Sequence, residues 1–243
     1  MRVIDEIMDI NYKDTREFFK HRAGKFREEN PYSVTMYQDD NKELVEARNK
    51  QEIEKLYPKL WVDESARILD IACGIGRWAD AICNPIEEYC GIDFSKELIE
   101  IAQKRNKREN FVFLEGETYS LEKVLENKGK YNRVLMIGIL MYLNDHDLVS
   151  TLEQVCKCAQ ENAILCVREP IGIQKRLTLK NCYSEELKDD YNAIYRTRDE
   201  LVDFFKKTLF VNGFTIKEEG YLFENVNLNN RKETVQYYFI LER

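Results

Sequence analysis

The chain has 243 residues, 44% of them hydrophobic and 33% charged, with 10 glycines and 4 prolines. This composition fits one large α/β domain with decorations, excludes a disordered half, and holds no apolar run near a bilayer span. A formal net charge of −7 disfavours a nucleic-acid substrate, because binding along phosphates relies on clustered Lys and Arg.

Residues 1–49 read as a helical segment outside the main sheet, with Phe18-Phe19 and Leu44-Val45 as docking contacts. From about residue 50 to 243 short apolar runs alternate with helical ones, as in a doubly wound sheet. The first strand is expected at 67–71, a helix to about 82, a second strand at 88–92 and a second helix from Ser95, its N-cap, to 106. A third strand follows at 110–114, a short helix at 121–127, a fourth strand at 131–137, a helix at 145–161 and a fifth strand at 163–167. Residues 168–197 read as an irregular polar insertion, followed by a helix to about 210. Two long strands, at 214–223 and 234–241, close the chain as an antiparallel hairpin around a polar turn at 225–232.

The first strand runs into Asp70-Ile-Ala72-Cys73-Gly74-Ile-Gly76, a glycine-containing loop before a helix, which is a nucleotide-like site. The loop alone is ambiguous, since Gly74-x-Gly76-x-x-Ala79 also satisfies the dinucleotide pattern. Three features discriminate. Asp70 sits before the loop, where a carboxylate suits a cationic amino acid moiety and repels a pyrophosphate. Asp93 closes the second strand, where it can accept bonds from both ribose hydroxyls. Glu117 follows the third strand, within reach of an adenine amine.

Taken together, Asp70-x-Ala72-Cys73-Gly74-x-Gly76, Gly91-Ile-Asp93-Phe94-Ser95 and Leu114-Glu-Gly-Glu117-Thr118 resemble the successive motifs of class I S-adenosylmethionine-dependent methyltransferases. The resemblance spans residues 65–243 and implies a seven-stranded, mostly parallel Rossmann-like sheet with a terminal hairpin. It also implies S-adenosylmethionine as cofactor and S-adenosylhomocysteine as product. Asp70, Ala72, Cys73, Gly74 and Gly76 would hold the methionine end, Asp93 and Phe94 the ribose side, and Glu117 with Thr118 the adenine; Ile137 and Gly138 would lie beneath the sulfur. Two departures stand out: Ala72 replaces a glycine, which is harmless if its φ is negative, and Asn132 replaces an aspartate of mostly structural role.

The acceptor must approach over strands four and five, because displacement at the methyl requires an in-line geometry. Tyr142 reads either as a substrate-facing group or as an aromatic helix-cap contact. The insertion at 168–197 reads as a lid; Arg168, Glu169, Arg176, Tyr183, Tyr191, Tyr195 and Arg196 mix cations and phenols that suit a polar, anionic small molecule. Tyr37 and Arg48, from the N-terminal segment closing the site, are candidates for the methionine carboxylate or the acceptor. Tyr142 or Glu169 is the candidate base, and with no well-placed His the expectation leans to N- over O-methylation. Long N-terminal helices and a lid are loosely similar to small-molecule methyltransferases, including those acting on sugars and surface-glycan precursors.

The alternatives are a protein or tRNA methyltransferase, an NAD(P)-dependent oxidoreductase, and a binding module that keeps the pocket without turnover. The start, Met1 to Glu6, has no signal-peptide core, and the seven cysteines lack C-x-x-C spacing and read as reduced, mostly buried thiols. A cytoplasmic monomer or homodimer, without metal or membrane partner, is therefore expected.

Overall fold

The structure, a computed structural model, describes residues 1–185, 187–229 and 231–243. In chain order the elements are β1 (Arg2–Ile4), α1 (Tyr12–Gly24), α2 (Ser33–Met36), α3 (Lys42–Leu56), β2 (Arg67–Ile71), α4 (Arg77–Ala81), β3 (Glu88–Asp93), α5 (Lys96–Arg105), β4 (Phe111–Glu115), α6 (Leu121–Val124), β5 (Tyr131–Ile137), α7 (Asp145–Cys158), β6 (Ala159–Gly172), β7 (Leu177–Ser184), β8 (Asp189–Tyr195), α8 (Arg198–Lys207), β9 (Thr215–Tyr221) and β10 (Thr234–Glu242). No helix among the described residues is long and apolar enough to cross a membrane.

Seven strands form one sheet in the order β4-β3-β2-β5-β6-β10-β9. The strands β2 to β6 pair in parallel, and β10 runs antiparallel to both β6 and β9. The expected mostly parallel sheet with a closing hairpin is what forms. Strands β2, β3 and β5 are buried along nearly their whole length, as strands covered on both faces must be, and so read as continuous apolar runs. The edge strand β9 is largely exposed and carries Lys217, Glu218 and Glu219, charges that blunt an unpaired edge. Chain order reverses between β2 and β5, which opens a crevice at their carboxyl ends.

Four expectations are corrected. The fifth strand does not stop at Val167; it runs to Gly172, because Glu169 and Pro170 lie in register with Tyr237 and Gln236 of β10. The insertion at 168–197 is not irregular: β7 and β8 form a hairpin, and β1 adds to β7, giving a second, three-stranded antiparallel sheet. Leu177, Leu179, Tyr191, Ala193 and Tyr195 pack against Phe18 and Phe19, and Thr178, Asn192 and Ile194 between them are buried as well. The N-terminal segment accordingly contains a strand, Arg2–Ile4, as well as helices. The helices starting at Arg77, Leu121 and Asp145 also end earlier than expected, at Ala81, Val124 and Cys158.

Candidate active site

The loop after β2 lies at the chain reversal. Gly74 and Gly76 adopt φ of +56° and +76°, and a Cβ on Gly74 would come within 2.9 Å of the Thr35 methyl, so glycine is required there. The Gly74 amide donates to Asp93 Oδ2 at 2.9 Å, and the Ser95 amide to Asp93 Oδ1 at 2.9 Å. Ser95 caps α5 through its side chain, which accepts from Leu98. Asp93 is thus held at the end of β3, and burial pushes its carboxyl up to about 6. Ala72 takes φ of +61°, the left-handed conformation in which a Cβ is strained. The condition of a negative φ fails, and the loop keeps the glycine-like shape despite the substitution.

Asp93 is 4% exposed and stays outside the neighbouring cavity, which is lined by Phe94, Glu117, Thr118, Tyr119, Ile139 and Leu143 and roofed by Tyr12, Thr15 and Arg16 of α1. Its walls are apolar and its rim carries the Glu117 carboxylate, which pairs with Arg16. The Arg16 guanidinium also stacks 5.0 Å from the Phe94 ring centre. A flat ring with an exocyclic amine suits this slot.

A second, larger cavity extends from the ends of β5 and β6 under the lid and meets Thr35, Tyr37, Arg48, Glu52, Ile137, Gly138, Tyr142, Arg168, Tyr191, Tyr195 and Gln236. Tyr142 lines both cavities. Its hydroxyl is shared with Tyr37 at 2.5 Å and Tyr191 at 3.1 Å, and Tyr195 donates to Tyr191 at 3.3 Å. Four phenols from three parts of the chain, two of them on β8, therefore converge on one place. Burial holds the Tyr142 phenol well above its ordinary value, so it stays neutral and hydrogen-bonds in both directions.

Residues 68–162 match the family of methyltransferase domains. The matched stretch runs from β2 into β6 and includes the loop at Gly74 as well as Asp93 and Glu117. Among curated proteins the chain is 29% identical over 104 residues to the ubiquinone biosynthesis O-methyltransferase of Pelagibacter ubique, covering 43% of this chain and 42% of that protein. It is 25% identical over 153 residues to a putative ribosomal RNA large subunit methyltransferase of Methanocaldococcus jannaschii, covering 55% and 40%. The chain spans less than half the length of these curated relatives. A solved structure of Haemonchus contortus phosphoethanolamine N-methyltransferase 1, with phosphoethanolamine and S-adenosylhomocysteine, shares the fold with a TM-score of 0.71 at 16% identity, over 96% of this chain and 50% of that one.

The fold brings Tyr142 and ten more of the residues singled out in the sequence to the two cavities, whereas Ala72, Gly74, Gly76 and Asp93 line neither. Phe94, Glu117 and Thr118 line the smaller one; Tyr37, Arg48, Ile137, Gly138, Arg168, Tyr191 and Tyr195 line the larger. Others fall elsewhere. Asp70 lines neither: it is buried beneath the loop, accepts the Tyr89 hydroxyl, and burial pushes its carboxyl up to about 7. The Cys73 side chain points to β3, where a Cβ on Gly91 would meet its sulfur. Glu169 is not free to act as a base, since its carboxylate accepts the amides of Ile139 and Leu140 at 2.8 Å and Met141 at 3.2 Å. It anchors the turn that presents Tyr142.

Arg176 and Arg196 are committed to Asp145, at 2.9 and 2.5 Å, and Arg196 also donates to the Leu140 and Leu143 carbonyls at 2.7 Å. They brace the lid and line neither cavity. Tyr183 is 61% exposed on the outer face of β7. His21 pairs with Asp189 on the surface, and His146 is exposed beside Asp147. Among the described residues no group of three or more His, Cys, Asp or Glu could hold a metal, and all seven thiols are free.

Sequence reasoning missed Glu52 and Arg16. The signal for Glu52 was present: the buried face of α3 is Val45, Arg48, Glu52 and Leu56, so two charges sit at helical spacing on an otherwise apolar stripe.

Proposed function

We propose that the protein transfers a methyl group from S-adenosylmethionine to a nitrogen of a small, polar, anionic acceptor, a class that includes amino sugars and other surface-glycan precursors. The observation that carries this reading is the cavity in which Arg48 and Arg168 stand among four phenols, and which meets the smaller cavity at Tyr142. Two guanidiniums lining one recess suit a carboxylate or phosphate. Phosphoethanolamine, held by the Haemonchus enzyme, joins an amine to an anionic group in the same way.

In this reading the adenine enters the slot of Phe94, Ile139 and Glu117, the ribose hydroxyls donate to Asp93, and the methionine end passes the loop at Gly74 toward Thr35, Tyr37 and Arg48. Residues 1–49 then close the site: α1 roofs the smaller cavity, and Tyr37 meets Tyr142. The cofactor supplies an electrophilic methyl on a neutral leaving group, so the chain's main work is alignment, which contributes up to roughly 7–11 kcal/mol. Tyr142, neutral and flanked by Tyr37 and Tyr191, is suited to accept a hydrogen bond from the acceptor's N–H and aim its lone pair. Neither histidine stands at the cavity and Glu169 is occupied by amides, which favours a nitrogen over a hydroxyl that needs a strong base. The free thiols support a cytoplasmic setting.

The test is formation of S-adenosylhomocysteine over a panel of acceptors. Small amines bearing a carboxylate or phosphate should turn over, their hydroxyl counterparts much less. Turnover confined to tRNA, ribosomal RNA or a protein would refute the reading.

A further inference from the structure

Arg168 lies at the floor of the acceptor cavity, and its orientation is set by groups that are not its ligands. Its Nε lies 2.8 Å from Glu52 Oε2, an ion pair outside hydrogen-bond geometry, and its Nη1 donates to Gln236 Oε1 at 3.3 Å. The guanidinium lies over Gly138, where a Cβ would come within 3.0 Å of Nη1. Glu52 is in turn fixed from behind: Oε1 accepts Arg77 Nη2 at 2.5 Å and Trp78 Nε1 at 3.0 Å. Glu52 is 1% exposed. Burial alone would push its carboxyl up, but Arg168 and Arg77 more than offset this and hold it below its ordinary value. A buried carboxylate at the wall of a cavity meant for an anion is a cost unless it does something specific.

We infer that Glu52 is a positioning residue of the acceptor site: by pairing with Arg168 Nε it leaves the terminal nitrogens of that guanidinium to receive the acceptor's anionic group. This rests on the reading of an anionic acceptor. Arginine is required for the arrangement, because its planar fork pairs along one edge and presents donors along another, whereas a lysine has one nitrogen for both tasks. Simple electrostatics predicts the opposite consequence of losing Glu52, since removing a negative charge beside Arg168 strengthens attraction for any anion. The sign of the effect therefore separates positioning from bulk charge.

The experiment titrates protein saturated with S-adenosylhomocysteine with inorganic phosphate and, separately, with acetate, followed by the fluorescence of buried Trp78 in a Trp61→Phe background. The wild-type protein should bind at least one anion, and which one binds distinguishes a phosphate-bearing acceptor from a carboxylate-bearing one. Glu52→Gln should weaken that binding about tenfold, with S-adenosylhomocysteine still bound. Anion affinity in Glu52→Gln equal to or tighter than wild type would overturn the inference while leaving the anionic acceptor intact. Absence of anion binding in the wild-type protein would overturn both. Should Glu52→Gln not fold, Arg168→Lys carries the test: it keeps the charge, and a loss of similar size is expected, whereas undiminished binding would overturn the inference.

Discussion

Replacing Glu169 by alanine removes the acceptor of three buried amides, those of Ile139, Leu140 and Met141. Each buried donor left without a partner costs about 1–3 kcal/mol, and one water entering the vacated space can satisfy part of the set. The expected loss is about 2–4 kcal/mol, read as a lowered urea midpoint at unchanged slope. Glu169→Gln keeps one acceptor oxygen and should lose about half as much. The carboxyl is pushed up to about 7 by burial, so between its ordinary value and 7 the folded chain holds a proton that the unfolded chain has released. Its contribution is fully present at low pH and is lost as pH rises through that window; Glu169→Gln should flatten this slope. A Glu169→Ala variant within 0.5 kcal/mol of wild type, or a stable Glu169→Gln with all turnover gone, would refute the anchoring role and restore Glu169 as a base.

Asp93, pushed up to about 6 by burial, must be ionised to accept two ribose hydroxyls, so S-adenosylhomocysteine affinity should rise with pH and level off above about 6. Calorimetry should show Asp93→Ala abolishing binding and Asp93→Asn removing the pH dependence; a flat wild-type profile from pH 5 to 7 contradicts the ribose contact. Ala72→Gly relieves the left-handed strain at a cost in chain entropy and should stabilise by up to about 1 kcal/mol, whereas a loss of that size in thermal melting would show no strain. Asp145→Ala strips Arg176 and Arg196 of their shared carboxylate and should destabilise by about 3–5 kcal/mol; an unchanged melting temperature would mean that neither arginine depends on it.

The sheet was legible because its strands are covered on both faces. Arg67–Ile71 and Tyr131–Ile137 agree with expectation to the residue, each being an apolar run bounded by polar breaks. The lid was not legible as a sheet, because its strands are buried on both faces at one end, over residues 177–179 and 191–195, and exposed at the other, so neither keeps one alternation throughout. Their outward residues, Tyr183 among them, gave the segment the composition of a loop. Strand β1 has three residues, too few for any period to show. For the site, pattern brought out the motif residues and the phenols, but it could not tell a ligand-facing cation from a structural one. Arg176 and Arg196 find Asp145 across 31 and 51 residues of chain, a pairing that exists only in the fold. The left-handed φ of Ala72 was hidden for a related reason, since the residue type argued against the conformation the loop imposes.

The most direct measurement is a crystal structure with S-adenosylhomocysteine bound. The account predicts the adenine between Phe94 and Ile139 with its amine near Glu117, the ribose on Asp93, and the sulfur beside Gly138 and Tyr142 with the cavity of Arg48 and Arg168 left open for the acceptor. Adenine in that larger cavity, or a sulfur remote from Tyr142, would contradict it.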